Sequence, residues 1–140
     1  MTGQNVEDIK SVILLGARLQ NLCEGFDDTN KSAVITSKMK ILLAISAHES
    51  ASPSVIKNEV CLAKSNVAYL CNSLLADGYI TKTKGTFDTR EISYALTEKG
   101  SEHMNDFLSK AKKNFECELA YKNNMKEINQ AVVDLLELVK

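Results

Sequence analysis

The fourteen residues Phe87 to Gly100, FDTREISYALTEKG, constrain this chain more than any other segment. A charged loop is set ahead of an apolar strand, Arg90 to Leu96, in which Ile92, Tyr94 and Leu96 fall on one side. The chain then turns over Thr97 into a helix. Directly upstream, Tyr79 to Lys84 alternates as a partner strand, and Gly85 to Thr89 connects the two. Before that, LLADG closes a helix on Gly78, a residue suited to the backbone conformation of a helix end. The order is helix, glycine, two-stranded hairpin, helix.

The residues ahead of Gly78 supply a second pattern. Ser52-Pro53 reads as an N-cap followed by proline at the first helical position, where the missing N–H costs nothing. A short helix to Val60 buries Val55, Ile56 and Val60. After the turn Cys61-Leu62-Ala63, a helix from about Lys64 to Ala76 turns Val67, Leu70, Cys71 and Leu74 inward. Upstream, Thr36 caps a helix to about His48, with Met39, Leu42, Leu43 and Ile45 on its buried side and His48 complementing its C-terminal dipole. Two helices joined by a tight turn and followed by a hairpin are a winged helix-turn-helix. That module places one helix in the DNA major groove and a loop beside it. The expected fold class is mainly α with a small β-hairpin wing (α+β), the winged core spanning 36–97 of a single 1–140 unit.

The flanks are helical. Val6 to Phe26 carries the stripe Val6, Ile9, Ile13, Gly16, Ala17, Gln20 and Cys23, and Asp27-Asp28-Thr29-Asn30 ends it. From Glu98 to Lys140, Gly100 is the only glycine and proline is absent. Met104, Phe107, Leu108, Ala111, Phe115 and Leu119 trace one stripe, and Met125, Ile128, Val132, Leu135, Leu136 and Val139 another, with a break expected at Tyr121 to Asn124.

Composition excludes several classes. No apolar run approaches the roughly 20 residues of a membrane span. The start MTGQNVEDIK is unlike a secretory signal, so a cytoplasmic protein is expected. Cys23, Cys61, Cys71 and Cys117 form no C-x-x-C pair and make no ligand-spaced cluster with His48 and His103. They read as free thiols, mostly buried, and no metal or cofactor is expected. There is no Ser/His/Asp order and no phosphate-binding glycine loop, so an enzyme is not expected. The net charge of −1 is distributed as −2 over 1–35, +2 over 36–97 and −1 over 98–140, which puts the positive balance on the winged core.

The wing pattern D-x-R, five residues, then L-T occurs here as Asp88, Arg90, Leu96 and Thr97. With the spacing from Gly78 to Asp88 and the sequence LTEKG, it resembles the MarR family (multiple-antibiotic-resistance regulators), dimeric winged-helix transcription factors. The resemblance extends over nearly the whole chain, its specific motifs lying between Ile35 and Gly100. It implies that Arg90 reaches the minor groove and that Asp88 holds the arginine and shapes the loop. The second helix of the pair departs from the family pattern, with Ala68, Tyr69 and Ser73 where threonine, arginine and a further basic residue are common. Lys64, Ser65, Asn66, Tyr69, Asn72 and Ser73 remain for phosphate or base contact, each of which also fits a solvated polar face. Lys82 and Lys84 on the hairpin add cations. Lys57 stands where a small residue usually supports the packing of the two helices, which puts the packing of the short helix in question while its ammonium reaches for phosphate.

The resemblance further implies that the helices at 5–26 and 98–140 interlock across a two-fold axis, giving a homodimer on a pseudo-palindromic double-stranded DNA operator. A monomer folding these helices back on itself is the alternative. Many relatives bind a small-molecule effector, and no motif here identifies one. Cys23, beside Glu24 and without a sequence-adjacent base, reads as a structural cysteine rather than an oxidant sensor. The leading functional reading is an effector-responsive, sequence-specific transcriptional repressor or activator. The competing one is a protein-interaction module on the same fold with weakened DNA binding.

Overall fold

The computed structural model describes residues 3–24, 36–88, 90–117 and 119–139, with side chains at 6–19, 36–88, 90–113 and 122–139. In chain order the elements are α1 (Gly3–Glu24), α2 (Ser37–Ser46), β1 (Ser50–Ala51), α3 (Pro53–Val60), α4 (Lys64–Ala76), β2 (Ile80–Lys84), β3 (Ile92–Leu96), α5 (Glu98–Cys117) and α6 (Leu119–Leu138). They form two compact units, one of residues 34–108 and one of residues 1–33 with 109–140.

In the 34–108 unit, three helices pack on a small antiparallel sheet of order β1-β3-β2. Helix α2 starts where its sequence specifies, with the Thr36 hydroxyl accepting the Met39 N–H at 3.2 Å. It is apolar over most of its circumference, so Ile41, Leu42 and Ile45 are all fully enclosed, Ile41 as completely as the two neighbours. Ser52 caps α3 in the same manner, accepting from Val55 N at 3.2 Å, with Pro53 in the first turn. Ile56 from α3 and Val67, Cys71 and Leu74 from α4 meet Ala51, Ile80 and Tyr94 of the sheet to complete the core. Burial pushes the Cys71 thiol up to about 11, so it stays protonated and inert.

Helix α4 ends in a Schellman motif. Tyr79 N donates to Leu74 O at 3.0 Å and Gly78 N to Leu75 O at 3.1 Å, with Gly78 at φ +80°. That turn delivers the chain into β2, which pairs with β3 from Ile80↔Leu96 to Lys84↔Ile92. The Thr97 side chain then ties three elements together: its hydroxyl donates to Gly78 O at 2.6 Å and accepts the Gly100 N–H at 3.0 Å, capping α5. Around this joint, Lys99 Nζ donates to Asp77 O at 2.8 Å, and the Tyr79 ring stacks on His103 with centroids 4.7 Å apart. Met104 and Phe107 of α5 pack against the core of the same unit.

Several boundaries differ from the sequence reading. A third strand, β1, pairs Ser50 with Ala95 and Ala51 with Tyr94, so the hairpin is the larger part of a three-stranded sheet. Helix α2 stops at Ser46, and His48, two residues past its end, places Nε2 3.0 Å from Glu59 Oε1 on α3. Strand β3 begins at Ile92, leaving Arg90 in the turn. Cys61 is exposed, at the αL residue (φ 55°, ψ 41°) that closes α3. Lys57 is exposed too. In the other unit, α6 already runs from Leu119, and the expected break is the single non-helical residue Asn124 (φ −124°, ψ 21°). Phe26 and Asp27 to Asn30 lie outside the described residues, as do the side chains of Cys23, Phe115 and Cys117. No helix among the described residues is long and apolar enough to cross a membrane.

Candidate nucleic-acid interface

Helix α4 divides cleanly. Val67, Cys71 and Leu74 are buried, while Lys64, Ser65, Asn66, Tyr69 and Asn72 are exposed on the opposite side and Ser73 is half-buried at its edge. Tyr69 is 74% exposed, which is unusual for a tyrosine in a helix that supplies three core residues. The start of α4 also differs from those of α2 and α3. Its N-cap is Ala63, which makes no side-chain capping bond. The first-turn N–H groups beside Ser65 and Asn66 therefore lack a side-chain cap, and a helix N-terminus of that kind is suited to an anion.

The wing is a closed loop. Gly85 N donates to Glu91 O at 2.7 Å and Glu91 N to Asp88 O at 3.0 Å. Asp88 grips Arg90 three times: Oδ1 accepts from the Arg90 backbone N–H at 3.0 Å and from Nε at 3.2 Å, and Oδ2 accepts from a terminal guanidinium nitrogen at 3.4 Å. The side-chain bond from Arg90, then its backbone bond, holds the Asp88 carboxyl below the usual carboxylate value. Its folded pKa being lowered, the clasp is intact above the ordinary aspartate range and is lost as pH falls through the lowered value. The arginine side chain is 90% exposed, so this pair orients the guanidinium while leaving its outer edge open.

Strand register places the lysines. Lys82 and Lys84 stand opposite Tyr94 and Ile92, so they share the sheet face that Ile80 and Tyr94 turn toward the helices. Beyond the edge of the core, the loop end of the hairpin and the starts of α3 and α4 line a groove of about 810 Å³. Three cations picked out in the sequence meet there: Lys64 from the start of α4, Lys84 from β2 and Arg90 from the wing. Lys57 and Lys82 are exposed but stand outside its lining. The groove also takes Ser52 and Ser54 from the start of α3 and Thr86 from the loop, with Glu91 as a carboxylate at the same wall. Ser52 was readable only as a cap. Nothing in the spacing of four separate elements says that they converge.

A polar, uncapped helix face, a flanking loop with an oriented arginine, and cations between them form a surface suited to a polyanionic duplex. Residues 37–115, more than half the chain, match the model of a family described as the winged helix DNA-binding domain. The chain belongs to that family. Solved winged-helix structures agree over nearly its full length. BldR from Sulfolobus solfataricus, a transcriptional regulator, superposes with a TM-score of 0.70 at 14% identity, covering 98% of this chain and 99% of that one. Wild-type MarR from E. coli gives 0.66 at 14%, covering 93% and 94%. BpsR from Bordetella bronchiseptica, whose DNA binding is regulated by 6-hydroxynicotinic acid, gives 0.62 at 17%, covering 89% and 98%. No curated protein sequence matches significantly.

This winged helix therefore has the MarR fold that the D-x-R…L-T pattern pointed to, and the family it belongs to is one of DNA-binding domains. The pattern has a structural basis here. Asp88 and Arg90 form the clasp of the wing, Leu96 ends β3, and Thr97 carries the hydroxyl that joins Gly78 to Gly100.

Proposed function

We propose that this winged helix is a homodimeric transcriptional regulator that binds a pseudo-palindromic DNA site, with α4 in the major groove and the wing at the minor groove. The observation that carries the reading is the convergence of Lys64, Lys84 and Arg90 on one groove beside the uncapped start of α4. Ser65 and Asn66 donate to phosphate there. Asn66 and Asn72 pair with adenine edges, and Tyr69 contacts phosphate or a thymine methyl. Lys57 and Lys82 add phosphate contacts at the periphery. Binding of the full-length protein to its own upstream region, followed by fluorescence anisotropy at several salt concentrations, tests this. Affinity no better than for scrambled DNA, even at low salt, would leave the fold as a protein-interaction module. The observation in favour of that second reading is the exposed face of α4, which presents Ala68 and Tyr69 and no arginine.

Arg90→Ala will weaken specific binding by about 1–3 kcal/mol if the guanidinium enters the minor groove. The melting temperature will stay unchanged, because the side chain is 90% exposed. Equal affinity in the folded variant would remove the wing from the interface.

The apolar faces of α1 and α6 support the dimer. Val12, Ile13 and Leu14 on α1 are 61–69% exposed, and Leu136 and Val139 at the end of the chain are 60% and 74% exposed. Apolar side chains concentrated in this way call for a covering surface. A second copy of the chain supplies one that is self-complementary about a two-fold axis. Sedimentation equilibrium at micromolar concentration will return twice the chain mass of 15.4 kDa. A monomer there removes the basis for palindromic recognition. By analogy with BpsR, a small aromatic acid is the class of effector to screen, read as a loss of DNA affinity.

A further inference from the structure

Phe87, at the tip of the wing, is fully exposed, with a relative accessibility of 105%. Singly exposed apolar residues are ordinary on a protein surface. Two observations set this one apart. Among the described residues, the exposed aromatic side chains are Tyr69 and Phe87, one on α4 and the other on the wing. The loop that carries Phe87 is also hydrogen-bonded across its base. The Gly85–Glu91 and Glu91–Asp88 backbone bonds close it, and Asp88 binds both the backbone and the side chain of Arg90. The closure is tight enough that a Cβ on Gly85 would stand 2.6 Å from Asp88 O and 2.9 Å from Glu91 Cβ. The ring is thus presented beside a hydrogen-bonded turn, three residues from the arginine that lines the groove.

A wing in the minor groove has few base-specific hydrogen bonds available, since that edge distinguishes little beyond A·T from G·C. An α4 without arginine offers few strong base contacts in the major groove either. Resting on the DNA-binding reading above, we propose that Phe87 is an apolar wedge. Its ring enters the minor groove beside Arg90 and partly unstacks one base step, so that the protein selects sites with a deformable step at the wing. Unstacking is least costly at TA and CA/TG steps, and burial of the ring offsets it. Flexibility of the duplex becomes a read-out at positions that no hydrogen bond reports.

The test uses the full-length protein and a short duplex that it recovers from a randomised pool, with 2-aminopurine placed in turn at each step flanking the α4 contacts. Wild-type protein will raise the emission at one step in each half-site, and Phe87→Ala will not. Phe87→Ala will bind roughly ten-fold or more weakly, since the burial of a phenylalanine is at stake. It will also lose the preference for a TA step over a stiff one, and Phe87→Leu will keep part of both. Melting temperature and sedimentation will be those of the wild type, because the ring touches nothing in the fold. Wild-type binding without any emission change, or a Phe87→Ala variant of equal affinity and step preference, overturns the wedge and leaves the regulator reading standing. A Phe87→Ala variant of altered oligomeric state and unaltered affinity assigns the ring to contacts between copies and overturns it too. If the wild type recovers no duplex at all, the DNA-binding reading falls and the wedge with it.

Discussion

Gly100→Ala will destabilise the 34–108 unit by about 3 kcal/mol or more, an effect set by backbone geometry alone. In an ordinary helix interior the same change stabilises by up to about 1 kcal/mol, because alanine is the better helix former. Here a Cβ at position 100 would overlap the carbonyl oxygen of Tyr79 and stand 3.0 Å from its carbonyl carbon. Those atoms cannot retreat cheaply. Tyr79 N is bonded to Leu74 O in the helix-ending motif, and Tyr79 O accepts the Thr97 N–H at 3.1 Å. Opening the gap breaks that bond and loosens the Thr97 hydroxyl from both Gly78 and Gly100. For a unit of this size the loss lowers Tm by on the order of 10–20 °C. Gly78→Ala is the comparison. It has room, with Lys99 Cδ 3.9 Å away, and suffers only from φ +80°, a cost of about 1 kcal/mol. Thermal denaturation of both variants measures the ranking. A Gly100→Ala melting curve matching the wild type would mean that the start of α5 sits farther from Tyr79 than described.

Much of the winged core is legible because its elements are punctuated by residues with one physical use. Ser52-Pro53 fixes the start of α3, and Gly78 fixes the end of α4 to the residue, since the left-handed turn admits few alternatives there. Thr97 and Gly100 are legible as a motif, and their contacts say why the motif exists. What escaped the sequence lacks such punctuation. Strand β1 is two residues long and has no period to detect; it forms because β3 has a free edge beside Ala51. Arg90 falls in register with Ile92, Tyr94 and Leu96 and reads as strand. The Asp88 carboxylate captures its N–H, however, and local side-chain bonding displaces the ladder. The sequence places His48 at a helix end, and its side-chain partner, Glu59, lies eleven residues on.

The site was legible residue by residue and not as an arrangement. Lys64, Lys84 and Arg90 could each be named from the sequence, but their common groove with Ser52 and Ser54 depends on how α3, α4 and the hairpin pack. Sequence spacing encodes none of that. The register of β2 on β3 is what turns Lys82 and Lys84 toward the helix side, and a shift by one residue would send both to the other face.

Salt will therefore separate the cations from the uncharged reading residues. Lys57, Lys64, Lys82, Lys84 and Arg90 are all exposed, and about six phosphate contacts per dimer give a slope of log K against log salt near −5. At that slope, doubling the salt weakens binding roughly thirty-fold. Lys82→Ala with Lys84→Ala removes about two to four of those contacts and flattens the slope to between about −4 and −2, weakening specific and random DNA alike. Asn66→Ala or Asn72→Ala releases no counterions and leaves the slope near its original value. Each instead narrows the gap between operator and random duplex by about 1–3 kcal/mol, since a base contact is lost and a phosphate contact is not. The strand register makes the lysine pair the sharper arm of the comparison, because both side chains lie on the face of the sheet that meets the helices. Anisotropy titrations of the wild type and the three variants at four salt concentrations measure both quantities together. An unchanged slope in the double lysine variant would place the duplex away from the hairpin. A gap unchanged by either asparagine substitution would mean that α4 positions the protein without reading the sequence.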